Sequence, residues 1–285
     1  MKHKVIDTHV HIWDLDRGEY KWLLNDESCL NQSFSFEELV PSLEIANIKE
    51  CLLVQADNNV EDTDRMLEDA NIYEQIVGVV GWLPLENPYE TRQLLEDRFL
   101  NEKYFKGVRH LIHNENDPRW MLRENVLESL SILSKYNIPY DIVGTEYCHL
   151  EAAIEVAEQL PMLSMVLDHL NQPPIKTKEQ FGAWGELISK ASEYENIYCK
   201  ISGLGTASNN LTGWNMEDVE PYIAYVLDKF GSKKCFCGGD WPVSLLAGSY
   251  TNTWMIYQNI LTKLLTDSEL EDVFYKSAYS FYNLK

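Results

Sequence analysis

Apolar runs rich in β-branched residues alternate with amphipathic, acid-rich runs along the whole chain. Eight of the apolar runs are nearly continuous rather than strictly alternating, which is typical of strands covered on both faces. These predicted strands span residues 5–12, 51–57, 76–83, 107–112, 138–144, 163–170, 197–204 and 235–241. Strands of this kind form parallel sheets in which a helix connects each strand to the next.

The segments between the predicted strands have apolar residues at the i, i+3, i+4 spacing of helices that bury one stripe. The predicted helices cover residues 36–46, 61–73, 89–100, 126–136, 148–159, 181–194, 219–230, 250–265 and 267–279. Capping and turn residues such as Asn87-Pro88 and Gly231 separate them from the strands. Because no Pro/Gly/Ser-rich linker divides the chain, the pattern predicts a single (β/α)8 TIM barrel domain over residues 1–285.

Composition narrows the class of partner. The formal net charge of −21 repels phosphate backbones and anionic lipid, which argues against nucleic acid or a membrane as a partner. No apolar run reaches the ~18 residues that a membrane-spanning helix needs. Residues Met1 to Lys4 lead directly into a strand that carries histidines, so we expect no signal peptide and a cytoplasmic protein. The six cysteines form no Cys-x-x-Cys pair, which argues against a structural zinc or redox motif.

The first predicted strand carries two histidines, His9 and His11. Residues i and i+2 of a strand lie on the same face, so we expect both imidazoles to converge, with Asp7 on that face too. Two converging imidazoles are typical of a metal site, and equally of an electrophilic patch that polarises a carbonyl.

Polar residues at the carboxyl ends of barrel strands share one mouth, where catalysis takes place. The candidates are His9, His11, Gln55, Asp57, Arg109, His110, His113, Asp168, His169, Lys200, Ser202 and Asp240. Asp168 and His169 are neighbours and point oppositely in a regular strand, so we expect His169 at the mouth and Asp168 in a structural hydrogen bond. Lys200 either pairs with a carboxylate inside the barrel or contacts the substrate.

Asp240 is the strongest single candidate. It follows Gly238-Gly239, which allow close backbone approach, and precedes Pro242, which ends the strand. A carboxylate fixed there, opposite a cluster of histidines, can deprotonate a water or bind a metal.

Together these residues resemble the amidohydrolase superfamily, and more closely its branch of sugar-lactone hydrolases, which includes L-fuconolactonase, L-rhamnonolactonase and pyrone-dicarboxylate lactonase. The blocks that carry the resemblance are 7–13, 20–22, 53–56, 78–82, 107–110, 166–170, 198–204 and 239–243. The resemblance implies hydrolysis of a sugar-acid lactone. Asp240 would act as general base on water, and His9, His11 and His169 would polarise the carbonyl.

The binding residues expected under this resemblance are of two kinds. Polar side chains would hold the ring hydroxyls or the carbonyl, and flat aromatic faces would pack on the C–H side of the sugar. The polar set is Arg109, Gln55 and Lys200, and the aromatic set is Trp22, Trp82 and Trp241. The Thr206-Ala207-Ser208 segment lacks an acidic residue that fuconolactonase-like sequences tend to have, which leaves the sugar open. We expect a small-molecule sugar lactone as partner, and the sequence leaves a homo-oligomer open.

The predicted fifth strand ends at Val143-Gly144 and offers no lysine to bridge two metal ions. The expectation is therefore either no required cofactor or a single divalent ion, with zinc favoured, on His9, His11 and Asp240. Two alternatives stay open: a metal-dependent amidohydrolase or decarboxylase of the same superfamily, and a non-catalytic barrel that binds a sugar acid.

Overall fold

Eight parallel strands follow one another in chain order around a barrel. A computed structural model describes residues 3–211 and 213–285, so the expectation based on Met1 and Lys2 lies partly outside the described residues. The strands are β1 (Ile6–Val10), β2 (Glu50–Val54), β3 (Ile76–Gly81), β4 (Phe105–His110), β5 (Tyr140–Ile142), β6 (Met165–Leu167), β7 (Ile197–Ile201) and β8 (Cys235–Cys237). Each predicted strand overlaps one of them, which confirms the (β/α)8 fold.

The first and last strands meet just beyond the end of β8. Val10 and Trp241 form a parallel bridge. The amide of His11 donates to the carbonyl of Trp241 at 2.7 Å, and the amide of Asp240 donates to the carbonyl of His9 at 2.8 Å. The barrel therefore closes through the two segments that carry the candidate histidines and aspartate.

Helices cover the outside of the barrel. They are α1 (Phe36–Ala46), α2 (Val60–Ala70), α3 (Pro88–Asp97), α4 (Glu124–Lys135), α5 (Tyr147–Gln159), α6 (Gly182–Ser192), α7 (Leu204–Ala207), α8 (Met216–Phe230), α9 (Tyr250–Leu264), α10 (Asp267–Glu271) and α11 (Ser277–Phe281). The last predicted helix, 267–279, runs without a gap from Asp267 to Phe281, and a π turn over Asp272–Lys276 joins α10 to α11. In the part of the chain described, no helix is long and apolar enough to cross a membrane.

Side-chain caps fix where several helices begin. Asn59 accepts the amide of Asp62 at the start of α2, and Asn87 does the same for Glu90 at the start of α3. These caps satisfy amides that have no partner inside the helix. The loops that join β2 to α2 and β3 to α3 are therefore short.

Apolar side chains fill the barrel at its amino-terminal end. The cluster there combines inward-pointing strand residues with residues of the C-terminal segment: Ile6, Leu52, Val54, Val80, Val166, Phe236, Ala278, Phe281, Tyr282 and Leu284. Because this end is packed with apolar side chains, the polar residues of the interior lie above it, toward the carboxyl ends of the strands.

Candidate active site

A cavity of about 250 Å³ opens at the carboxyl end of the barrel. Its lining combines histidines, one arginine and one aspartate with apolar and aromatic side chains. The lining residues are His11, Trp13, Trp22, Ala56, Arg109, Leu111, His113, Asn114, Val143, Thr145, His169, Gln172, Thr206, Asp240 and Val243. A concave, largely apolar site with a few convergent polar groups is typical of a small-molecule site.

An irregularity in β1 decides which side chains enter the barrel. The pairing register of β1 with β2 shifts between Asp7 and Val10. His9 and His11 point inward as expected, but Asp7 points outward, so the expectation that it shares their face is wrong. Its carboxylate accepts hydrogen bonds from the amides of His9 and Gly239 and from side chains of α9. Asp7 therefore ties β1 and β8 to the outer layer.

His11 and Asp240 present two hydrogen-bond acceptors to the cavity. His11 Nδ1 lies 2.7 Å from the carbonyl oxygen of Val54, which can only accept, so Nδ1 carries the proton. Burial lowers the pKa of His11, which keeps the ring neutral. Nε2 is then unprotonated and carries a lone pair. That lone pair lies 3.5 Å from Asp240 Oδ1. A group placed between them must therefore be a donor or a cation.

His169 lies in an unusual stretch of backbone. Residues 169–172 all have positive φ, so the strand alternation ends at β6. As a result both Asp168 and His169 lie inside the barrel. His169 lines the cavity, while Asp168 lies beneath it, paired with Lys200 and Arg109, which is the arrangement expected from the sequence. Ser202 Oγ accepts a hydrogen bond from the amide of His169 at 3.3 Å and lies 2.8 Å from His169 Nδ1. Nδ1 is the one acceptor that the structure describes for the hydroxyl proton of Ser202. His169 Nε2 is then the protonated nitrogen and a donor toward the cavity.

Gly203 makes room for this histidine. Its φ is +60°, and a Cβ there would lie 2.5 Å from His169 Nδ1 and 3.0 Å from Asp240 Oδ2. A side chain at this position would therefore displace His169 and strain the backbone.

Two acids and two bases form a buried cluster beneath the cavity. Asp168 lies 2.8 Å from Lys200 Nζ and 3.3 Å from Arg109 Nη1. Lys200 lies 2.6 Å from Asp141, whose oxygens also accept the Tyr282 hydroxyl. Burial alone would raise the pKa of Asp168, but the nearby cations hold it well below its usual range. The cluster therefore consists of charged partners that compensate one another.

His9 lies between this cluster and the cavity. It is fully buried, and it contacts Arg109 Nη1 at 3.1 Å through Nε2 and Lys200 Nζ at 3.2 Å through Nδ1. Burial holds the pKa of His9 well below its usual range, so the ring is neutral. His9 is absent from the described lining of the cavity, so it is not placed to polarise a bound carbonyl directly.

Four further predicted contact residues lie away from the described lining of the cavity. Gln55 accepts from Arg109 Nε at 3.1 Å, and Lys200 is enclosed by the two acids. Trp82 donates to His110 Nδ1 at 3.0 Å, and Trp241 packs against Phe34. Arg109 and Trp22 line the cavity and can contact a substrate directly. The other four predicted contact residues are not placed to do so: Gln55, Lys200, Trp82 and Trp241.

The sequence-based candidates omitted much of the lining. His113, whose position the sequence left open, does line the cavity, while His110 stacks on Trp120 instead. The residues not proposed are Trp13, Ala56, Leu111, Asn114, Val143, Thr145, Gln172, Thr206 and Val243. All of them follow strand ends, Thr206 in the short helix α7 and the others in loops or 3₁₀ turns, where no periodicity marks which side chain turns inward.

Three buried side chains, those of His9, His11 and Asp240, could together hold a metal ion. Ligand atoms of His9, His11 and Asp240 lie within 4.8 Å of one another. The Nε2 atoms of His11 and His9 lie 3.5 and 3.8 Å from Asp240 Oδ1, which is too long for hydrogen bonds. Ligand bonds of about 2.0–2.1 Å in a tetrahedral site put ligand atoms about 3.3–3.5 Å apart, so the residues fit a single ion. His9 would first have to give up its hydrogen bond from Arg109.

Comparison with known proteins places the chain in a family. Residues 6–284 match the model of the amidohydrolase family Amidohydro_2, so the chain belongs to that family, and the predicted superfamily and hydrolase class are confirmed.

Two curated relatives and one solved structure show the extent of the similarity. The chain is 28% identical to a Burkholderia ambifaria protein named L-fucono-1,5-lactonase, over 98% of this chain and 95% of the relative. It is 26% identical to a Burkholderia multivorans protein of the same name, over 86% of this chain and 84% of the relative. A crystal structure of a Burkholderia multivorans amidohydrolase with bound zinc has a TM-score of 0.89 at 24% identity, and covers 99% of this chain and 100% of that one. The structural likeness supports the fold.

Proposed function

We propose that the protein hydrolyses a sugar-acid lactone, with Asp240 as the general base. The observation that carries the proposal is the pair of acceptors on the cavity wall, His11 Nε2 and Asp240 Oδ1, 3.5 Å apart. The names of the two curated relatives support the same substrate class.

The acceptor pair suits an attacking water. A water between the two groups would donate one O–H to His11 Nε2 and the other to Asp240 Oδ1. A lone pair of the water oxygen would then point into the cavity. As the water oxygen bonds to the lactone carbonyl carbon, its proton passes to Asp240. His11 thus orients the water. This role differs from the polarisation of the carbonyl that was expected from the sequence.

Two donors on the same cavity suit the developing oxyanion. His169 presents Nε2–H, as its contact with Ser202 requires. Arg109 has five N–H groups, of which four are used: one with Gln55 Oε1, one with the Gln55 carbonyl, one with His9 and one with Asp168. The remaining N–H of Arg109 and the Nε2–H of His169 would stabilise the negative oxygen of the tetrahedral intermediate.

Collapse of the intermediate breaks the ring C–O bond. The alkoxide that leaves receives the proton that Asp240 took from the water, and the product is an open-chain hydroxy acid. Should a metal ion be bound by His9, His11 and Asp240, it would supply Lewis-acid polarisation of the carbonyl.

The lining indicates a compact substrate with an apolar face. Trp13 and Trp22 offer flat surfaces for the C–H side of a ring, and Leu111, Val143 and Val243 add aliphatic contacts. Asn114, Thr145, Gln172 and Thr206 remain for hydroxyl groups. This mixture suits a hydroxylated cyclic ester.

A panel of aldonolactones, assayed by the acid released into an indicator, tests the proposal. We expect turnover of at least one member, and a loss of about 10²- to 10⁴-fold in kcat for Asp240→Asn, which keeps the shape and removes the base. Asp117→Asn is a matched control, because Asp117 is an exposed acid paired with Arg123. No turnover on any member, or full activity of Asp240→Asn, would contradict the proposal; binding without turnover would indicate a sugar-acid-binding barrel.

A further inference from the structure

We propose that Asp168 compensates the positive charge of Arg109 on the wall of the binding cavity. By pairing with Arg109, it neutralises the single Lys or Arg among the described lining residues, so that the site selects lactones without a carboxylate substituent. The inference rests on the proposed function and adds the charge class of its substrate.

The Arg109–Asp168 pair is enclosed by protein. Asp168 is 0% exposed and Arg109 is 3% exposed, with 3.3 Å between Asp168 Oδ2 and Arg109 Nη1. Charges shielded from water interact far more strongly than surface charges. A ligand in the cavity therefore meets a compensated guanidinium, which offers one N–H but little net attraction for an anion.

Asp168 is needed for Arg109 because Lys200 already has a counter-ion. Lys200 lies 2.6 Å from Asp141 on the side away from the cavity. Asp168 also lies 2.8 Å from Lys200 Nζ, but among the described residues it is the one carboxylate that pairs with Arg109. An arginine without Asp168 would leave a positive charge on the cavity wall.

Charge selectivity can be measured with two lactones that differ at one carbon. D-glucono-1,4-lactone has a CH2OH group where D-glucaro-1,4-lactone has a carboxylate. Binding can be followed by quenching of tryptophan fluorescence, since Trp13 and Trp22 line the cavity, and this readout needs no turnover. We expect Asp168→Asn to shift the ratio of the two dissociation constants toward glucarolactone by at least about tenfold, at low ionic strength.

Asp141→Asn is the matched control. It makes the same change in charge within the same buried cluster, but it leaves the Arg109–Asp168 pair in place, so the ratio should stay within about twofold of wild type. Asp168→Glu, which keeps the charge, should also retain the wild-type preference. A role that is only structural would lower stability in Asp168→Asn without moving the ratio.

Three results would overturn the proposal: an unchanged ratio in Asp168→Asn, an equal shift in Asp141→Asn, or no gain of glucarolactone binding. If Asp168→Asn does not fold, the double variant Asp168→Asn/Lys200→Met removes one charge of each sign and makes the same prediction. Failure of the aldonolactone panel would reject the hydrolytic function, whereas these binding ratios test the charge assignment separately.

Discussion

Asp7 should be one of the largest single contributions to the stability of the barrel. Its carboxylate is fully buried and accepts four hydrogen bonds: the amides of His9 at 2.9 Å and Gly239 at 2.8 Å, Tyr250 Oη at 2.6 Å and Trp254 Nε1 at 3.2 Å. Asp7→Ala leaves four donors without this acceptor, each costing about 1–3 kcal/mol if it stays unpaired. Since the structure would relax in part, we expect a loss of about 3–5 kcal/mol in the free energy of unfolding.

Asp7→Asn separates the two sides of the carboxylate. An amide oxygen can still accept both backbone amides, but its NH2 group then meets Tyr250 and Trp254. The tyrosine hydroxyl can turn to accept, whereas the indole N–H cannot. We expect Asp7→Asn to lower the free energy of unfolding by about 2 kcal/mol at pH 7, which is less than the loss in Asp7→Ala.

The difference between wild type and Asp7→Asn should depend on pH. Burial raises the pKa of Asp7 to about 6 despite the four donors. An acid whose pKa is raised from 3.8 to about 6 in the folded state stabilises the fold fully below about pH 4, and loses that contribution as pH rises through 6. At about 1.4 kcal/mol per pKa unit, the advantage of wild type over Asp7→Asn should fall by about 3 kcal/mol between pH 4 and pH 7.

Urea unfolding at pH 4 and pH 7, followed by fluorescence and circular dichroism, measures these differences. Tyr250→Phe is the matched control, since it removes one donor and keeps the carboxylate, and should cost about 1 kcal/mol. An Asp7→Ala variant within about 1 kcal/mol of wild type would refute the reasoning, because the four hydrogen bonds would then contribute almost nothing net.

Two further variants test the site. Ser202→Ala should lower kcat about tenfold or more with little change in KM, because His169 would lose the contact that keeps its proton on Nε2. Ser202→Thr should restore kcat. Equal kcat values for Ser202→Ala and wild type would contradict this role of Ser202. Gly238→Ala would place a Cβ 2.4 Å from His9 Cβ and should cost at least about 2 kcal/mol in urea unfolding, whereas Gly107→Ala, with 3.4 Å to its nearest neighbour, should cost less than about 1 kcal/mol; equal losses would refute the clash.

The fold was predictable because it depends on periodicity that lies along the chain. Eight apolar runs separated by amphipathic runs specify the strands and helices in the order in which they occur. The π turn at Asp272–Lys276 was not predicted, because the apolar spacing continues through it. Site residues near strand ends were predicted because polar residues at the carboxyl ends of barrel strands share one mouth. Position at a strand end cannot distinguish a side chain that lines the cavity, such as Arg109, from one enclosed beneath it, such as Lys200.

Asp7, which sequence reasoning misplaced, lies where the backbone departs from the regular strand, and it turns outward at the register shift in β1. A second departure, the positive φ that begins at His169, lets both Asp168 and His169 lie inside the barrel. Asp240 itself has a φ of +57°. Non-glycine residues adopt this conformation at a cost that the surrounding structure must offset, and they concentrate at functional sites. In this barrel the irregular positions bring Asp240 Oδ1 and His169 Nε2 to the same cavity, 4.0 Å apart, so that the proposed general base and a proposed oxyanion donor lie side by side.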